Sequence, residues 1–348
     1  MASATLTKRE LGMDWDVKAM LLDLGIQHST IGPRRMINGV SSIKEAGQND
    51  LSFCWYEGER ALSLITGSNA GAILCKRNTE EIFKSPPSNA PSARTNSERE
   101  KKKDSQEMQL FFVDNPRLAF VQLMNIIVKK ESKPSVSSSA LISKTARVGA
   151  NCLIGDYVKV GDNCVIGNNT IIGDGVKLVQ NCSVGDNCII QPGVVIGADG
   201  FAFERHQNGK LERFPHIRGV KVGNDVEICS NSSIARGSLS DTIVGDGTKI
   251  DALVHVAHNV IIGSNCELTA GTIIGGSTTI GDMCWTGLNC TLKDNIKVGK
   301  NVIIASGASV IRDIQDGDVV AGVPAKSIKD KVTTNHLFLM SGQKEEKR

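Results

Sequence analysis

The chain has 348 residues and a formal net charge of +3, room for two domains and too little positive charge to argue for a nucleic-acid partner. Aromatic residues make up only 4% while glycines number 35, a balance that fits an ordinary packed α/β enzyme poorly and a repeat protein with many tight turns well. Residues 1–10 lack the apolar core of a secretory signal, and no stretch approaches the ~18 uninterrupted apolar residues of a membrane span, so no transmembrane segment is expected.

Residues 1–12 read as a polar extension, and residues 13–130 as a small α/β domain. Apolar Trp15, Val17, Met20, Leu21 and Leu24 have helical spacing. A turn signal at Gly47, Gln48, Asn49 and Asp50 leads into a strand over 51–55, with a short helix over 62–66 and a buried strand over 70–75. Residues 85–107 are dense in proline, serine and charge, which predicts a disordered insertion. A strand over 110–113, a helix over 118–128 and a linker over 131–139 complete this half.

From Ala140 the period becomes six. Val148, Ile154, Val160, Ile166, Ile172, Leu178, Val184, Ile190 and Ile196 are evenly spaced, most of them followed by glycine. A second run continues from Val244 to Val310, and Val222, Ile228 and Ile234 bridge the two. A period of six places the same face inward each time, as two residues of turn and four of strand. Three such units close a triangular coil, and coils stacked about 4.8 Å apart make a prism ~45 Å long from about nine of them. The predicted fold is therefore mainly β, a parallel β-helix of hexapeptide repeats over 140–326, preceded by the small α/β domain and followed by a tail over 327–348 with one short helix.

Cys152, Cys164, Cys182, Cys188, Cys266, Cys284 and Cys290 share one phase of the period. That marks them as small inward-facing thiols rather than a disulfide framework, in a reducing, cytoplasmic setting.

The column is interrupted twice, between Ile196 and Val222 and between Ile234 and Val244. A regular prism has no concave site, so these excursions are where one is expected. Beyond them, residues 251–259 hold paired histidines, with Asp251 seven positions before His258. His258 is the candidate catalytic base and Asp251 its orienting carboxylate. His255 reads as a wall residue. A zinc site needs a third ligand that His255 and His258 lack, so no metal is expected.

Several motifs carry a resemblance. Gly197-Ala198-Asp199-Gly200-Phe201, then Arg236-Gly237 with Leu239, Asp241 and Thr242, then Ile250-Asp251 with Ala257-His258-Asn259-Val260, resemble the UDP-3-O-(3-hydroxyacyl)glucosamine N-acyltransferase family of lipid A synthesis. Ile37-Asn38-Gly39-Val40, Asp50-Leu51-Ser52-Phe53 and Asp114-Asn115-Pro116-Arg117 are similar to that family's uridine-binding domain, so the likeness runs from about Met13 to about Gly307. It implies a left-handed coil, an exception to the usual right-handed crossover. It also implies a homotrimer and transfer of an acyl group from an acyl carrier protein thioester to the 2-amine of a UDP-linked, 3-O-acylated glucosamine, with no tightly bound cofactor.

In that reading His258 accepts the amine proton, a role that suits an imidazole near neutral pH. Asp251 orients it, and the backbone N–H of Gly276 binds the oxyanion. Phe53 matches an aromatic used near uracil, and Tyr56 and Glu59 stand where the family has asparagine and tyrosine. Asp199, Phe201, His255 and Asn259 complete the expected substrate-binding set.

Two departures point elsewhere. Asn295 replaces a family histidine expected one coil beyond the catalytic turn. Ala321-Gly322-Val323-Pro324-Ala325-Lys326 resembles the ending of acetyl-CoA-dependent hexapeptide transferases. The alternatives are thus an N-acetyltransferase of a nucleotide amino sugar that takes acyl-CoA as donor, and a non-catalytic β-helix scaffold.

Overall fold

The computed structural model describes residues 14–84, 108–128 and 133–331. The expected polar extension over 1–12, the insertion over 85–107 and the tail beyond residue 331 lie outside them. The chain divides into two compact units, Met1–Glu131 and Ser132–Arg348.

In the first unit, β1 (Trp15–Asp16) runs into α1 (Val17–Asp23), whose first turn is capped by the Asp16 carboxylate accepting from the N–H groups of Lys18 and Ala19 at 3.1 and 3.3 Å. Then follow β2 (Ser29–Ile31), β3 (Met36–Ile37), β4 (Gly39–Val40), β5 (Asp50–Cys54), α2 (Gly58–Thr66), β6 (Ala72–Lys76), α3 (Glu80–Lys84), β7 (Gln109–Val113) and α4 (Pro116–Ile127). Proline in the first turn and an Asn115 side chain accepting from Leu118 N–H start α4. Five strands form one sheet in the order β2-β7-β6-β5-β4, parallel except for β2. Alternation along β6 and β7 feeds two cores. Ala72, Leu74, Phe111 and Val113 pack with Val17, Leu21 and Leu123, whereas Ile73, Cys75, Leu110 and Phe112 pack with Ala61 and Ile65. Burial on both faces explains why these strands read as unbroken apolar runs.

The second unit is the left-handed β-helix. Its walls are three sheets of eight, eleven and nine strands, and within each the partner of a strand is the next coil of the chain. Val160 pairs with Leu178 and Leu178 with Ile196, for example. Laddered strand is only two to four residues per face, shorter than the four read from the period at most positions, because the corners take the rest. In most turns one corner residue adopts a left-handed backbone, and it is most often asparagine: Asn151, Asn163, Asn169, Asn181 and Asn187 have φ of 53–57°. Asparagine tolerates that region because its side chain bonds locally. Here it also bonds along the stack, Asn163 Nδ2 donating to Asn181 Oδ1 at 3.1 Å. Glycine before the corner permits close approach: a Cβ at Gly161 would lie 1.6 Å from the carbonyl oxygen of Val179.

The interior is one aliphatic column. Ile154, Val160, Ile166, Ile172, Leu178 and their successors are buried, and so are the seven phase-sharing cysteines. Each buried Val, Leu or Ile contributes about 1.5–3 kcal/mol. The coil starts earlier than the sequence indicates. Ser135–Val136, inside the stretch read as linker, pairs in parallel with Leu153–Ile154. This first strand lacks a buried aliphatic and a following glycine, so the period does not reveal it. At the other end Val319–Ala321 pairs with Ile303–Ile304, and the chain doubles back so that Lys326–Ser327 covers it antiparallel. That blunts the open edge.

Candidate active site

The two interruptions brace one another. The first leaves the wall after Val195–Ala198, makes a hairpin of Phe203–Arg205 and Leu211–Arg213, and returns at Val220–Val222. The second occupies residues 236–241. Ile217 and Arg218 donate their N–H groups to the carbonyls of Ser238 and Gly237, each at 3.1 Å. Arg236, only 2% exposed, donates its Nε to the carbonyl of Arg218 at 2.5 Å and its backbone N–H to Ala198 at 2.8 Å. Asp241 accepts from Gly219 N–H at 3.0 Å and pairs with Lys221 at 2.8 Å. Lys221 first and Gly219 second hold its carboxyl below the usual carboxylate range.

Against this bracket stands the corner of His258 and Asn259. The Asn259 amide fixes the chemistry of the histidine. Its Nδ2 donates to the carbonyl and the hydroxyl of Ser240, both at 2.9 Å, and its Oδ1 accepts from the Ser238 hydroxyl at 2.8 Å. A carbonyl partner leaves no choice of flip, so Oδ1 is an acceptor. His258 Nδ1 lies 2.8 Å from that Oδ1 and must therefore carry the hydrogen, which leaves Nε2 with a free lone pair. Asn259 has φ of 60°, and this left-handed turn curls its side chain back to the preceding imidazole.

Nε2 faces Gly276, one coil on. A Cβ at Gly276 would lie 2.8 Å from both Cε1 and Nε2 of His258, so glycine is what lets the ring stand there. At several comparable corners the N–H is capped by a side chain 18 residues later: Ser264 donates to Asp282, and Asn168 to Asp186. At Gly276 that partner is Asp294, whose carboxylate instead accepts from Asn295 Nδ2 at 2.8 Å. The Gly276 N–H has no acceptor among the described residues. A bare imidazole nitrogen beside an uncapped backbone donor can take up a proton and bind a developing oxyanion.

On the other side of the ring are two residues that the sequence reading passed over. Gly200 meets the Cβ and Cδ2 of His258 and the Nε2 of His216, so that a methyl there would lie 2.8 Å from all three. His216 is buried, and its ring stands edge-on to His258 with centroids 5.3 Å apart and planes at 74°. Gly200 was legible as part of a motif, but His216 sits in an aperiodic loop that carries no signal.

Of the remaining candidates in the second unit, Asp199 and Phe201 flank Gly200, which meets the His258 ring. Asp251 is not brought to His258, contrary to the sequence expectation. Its two carboxylate oxygens accept from the N–H groups of Ala252 and Ala270 at 2.7 and 3.0 Å. A separation of seven is one hexapeptide plus one residue, which puts Asp251 at the neighbouring corner of the triangle. It is Asn259, expected among the substrate-binding residues, whose side chain meets the His258 Nδ1. His255 lies on the wall, exposed, with Nδ1 2.8 Å from the Ser233 hydroxyl. Asp199 is exposed in the first interruption, and Phe201 is 90% exposed, touching Phe203 edge-on at 5.1 Å. Asn295 belongs to the corner two coils beyond His258 rather than one, its N–H bonded to the carbonyl of Gly276. In the first unit Phe53 packs against Phe120 at 4.9 Å in one core, whereas Tyr56 stacks on Trp55 and lies under the Arg60 guanidinium by the other. The pair does not share a face.

Residues 145–180, 163–198 and 241–276 match the bacterial transferase hexapeptide (six repeats) family, and residues 277–312 match the hexapeptide repeat of succinyl-transferase. The UDP-3-O-acylglucosamine N-acyltransferase of Methylorubrum extorquens is 40% identical over 134 residues, 38% of this chain and 38% of its own length. That of Bordetella parapertussis is 43% identical over 132 residues, 37% and 36% of the two chains. A probable UDP-3-O-acylglucosamine N-acyltransferase 2, mitochondrial, of Arabidopsis thaliana is 40% identical over 137 residues, 39% and 45%. The matched part is thus less than half the length of each relative. Among solved structures, a UDP-N-acetylglucosamine acyltransferase from Campylobacter jejuni superposes with a TM-score of 0.50 at 22% identity, covering 60% of this chain and 82% of that one, which bears on the fold alone. Another UDP-N-acetylglucosamine acyltransferase gives 0.51 at 25% identity, covering 56% and 73%.

Proposed function

We propose that the protein is an N-acyltransferase that moves a (3-hydroxy)acyl group from a carrier thioester to the 2-amine of a UDP-3-O-acylglucosamine. The observation that carries this is the pairing of a bare His258 Nε2, fixed by Asn259, with the uncapped N–H of Gly276. The names of the relatives supply the substrate class.

In the reaction the amine nitrogen adds to the thioester carbonyl and a C–N bond forms. Its proton passes to His258 Nε2, a transfer worth about 10²–10⁴-fold. The oxyanion of the tetrahedral adduct is held by the Gly276 N–H, worth roughly 10²–10³-fold. Collapse breaks the C–S bond, and the leaving sulfur takes the proton back from His258. No metal or tightly bound cofactor enters this sequence. The hydroxyls of Ser238 and Ser240 keep Asn259, and through it the base, in register.

Acyl carrier protein is the proposed donor partner. The stretch from Ala321 to Lys326 favours a second reading in which acyl-CoA serves instead. Phe53 and the first unit are proposed to bind the uridine, and a homotrimer is the proposed assembly. The free, mostly buried cysteines suit a reducing compartment, for which we propose the cytoplasm. No helix among the described residues is long and apolar enough to cross a membrane.

The test offers purified protein UDP-3-O-acylglucosamine or UDP-glucosamine, each with hydroxyacyl carrier protein or acetyl-CoA, and reads products by mass. Amide formed from the acylated sugar and the carrier thioester is the expected result. Amide from acetyl-CoA alone would move the protein to the second reading. No amide from any pair would leave a scaffold.

A further inference from the structure

We propose that His216 is a positioning residue for the His258 base. Its Nε2 lies beside the Cδ2 edge of the His258 ring, holds the adjoining Nε2 of His258 toward Gly276 and favours uptake of the proton there. The inference rests on the reading of His258 as the base.

Three observations lead to it. His216 is only 7% exposed, and its Nε2 is a buried polar atom with no hydrogen-bond partner among the described residues. A buried polar atom left unpaired costs about 1–3 kcal/mol, so something must repay it. Second, the tautomer is determined. Nδ1 lies 3.0 Å from the carbonyl of Phe214, which can only accept, so Nδ1 carries the hydrogen and Nε2 the lone pair. Third, the two rings pack side by side: Nε2 of His216 and Cδ2 of His258 both lie 2.8 Å from the point where Gly200 would carry a Cβ, and the ring centroids are 5.3 Å apart with planes at 74°.

The hydrogens on the carbon edge of an imidazole become more positive when the ring is protonated. A fixed lone pair facing that edge therefore stabilises imidazolium over imidazole. The device works only while His216 itself stays neutral. Burial pushes its imidazole below the usual value, and a charge on His258 pushes it further in the same direction. The other charges felt there are Asp199, which favours protonation, and Arg213, which opposes it. The first interruption of the coil thus delivers one side chain whose chemistry is complete only against His258.

The experiment uses full-length protein with ring-¹⁵N,¹³C-histidine and follows the six histidines by NMR from pH 5 to 9 in wild type, His216→Phe and His216→Gln. Phenylalanine keeps a flat ring without the lone pair, while glutamine restores an acceptor. We expect the His258 midpoint to fall by about half to one pH unit in His216→Phe and to recover in His216→Gln. In the acyl-transfer assay kcat should fall about tenfold in the first variant with KM little changed, and its acid limb should move with the NMR midpoint. An unmoved His258 midpoint in a folded His216→Phe would reduce His216 to packing and overturn the inference. Should that variant not fold, wild type alone decides: His216 carrying its hydrogen on Nε2, or gaining a proton before His258, overturns the inference, and the opposite order supports it. A wild type that shows the expected titrations but transfers no acyl group supports the positioning role and removes the proposed reaction.

Discussion

The regular coils before Ile196 and the interrupted ones around His258 are built from the same six-residue unit, yet they use it to opposite ends. In the regular region several corners are closed by the next: Asn168 caps Ala150, and Asp186 caps Asn168. Glycine there exists to let one backbone lie on another. Around His258 the same positions are left open. Asp294 turns away from Gly276, Gly200 and Gly276 make room for an imidazole rather than a carbonyl, and Asn259 spends its amide on a histidine and two serines. A repeat protein can build a site by leaving open, at particular corners, partners of the kind that close others.

The sharpest way to break the comparison is His258→Ala. We expect a loss of kcat of about 10²–10⁴-fold with the thermal midpoint unchanged, measured by the mass assay beside a melting curve. A matched fall in both would place His258 among the structural corners.

Glycine substitution separates the two regions next. Gly276→Ala puts a methyl against Cε1 and Nε2 of His258 and should lower kcat by about 10²-fold with a small effect on melting. Gly161→Ala drives a methyl into the carbonyl of Val179 and should lower the melting temperature while the surviving folded protein keeps its turnover.

Asn259→Ala and Asp251→Asn test which residue orients the base. The first removes the acceptor for Nδ1 and should cost about tenfold or more in kcat. The second leaves one acceptor for the two amides of Ala252 and Ala270, so it should cost about 1 kcal/mol of stability and little activity. Chemical denaturation together with steady-state rates reads both.

The smallest expected effect is on stability against pH. His216 has a folded pKa below its unfolded value near 6.5, so the unfolded chain binds the extra proton first. Its contribution is full above about pH 6.5 and is lost as pH falls from there toward the folded value. Melting of the wild type should therefore decline between pH 7.5 and 5.5 more steeply than melting of His216→Gln.

The sequence made the repeating part of this molecule plain because repetition averages away local ambiguity. The column from Val148 to Val310, the inward cysteines and the two interruptions were all readable from spacing. Ser135–Val136 was not, since a single first strand has no period. In the first unit the apolar runs of β6 and β7 announced buried strands, but the split of Phe53 and Tyr56 between two cores depends on which face Tyr56 takes after β5 ends. At the site, the His258-Asn259 corner stood out as a motif, whereas the place of Gly276 followed only from the family resemblance. Asp251 was misread because distance along a triangular coil counts corners rather than residues, and the acidic side chain next in line belongs to another corner. His216 and the bracing of Arg236 against Arg218 arise where the period is lost, and only three-dimensional closure brings them to the corner of His258.

The central claim is that His258 is a base whose proton-accepting nitrogen faces an open Gly276 N–H. The most direct test is a single-turnover measurement of amide formation by wild type and His258→Ala at equal, saturating concentrations of the acylated UDP-sugar and the carrier thioester. Rapid amide formation by wild type and almost none by a folded His258→Ala is the predicted result. Equal rates in the two would contradict the account.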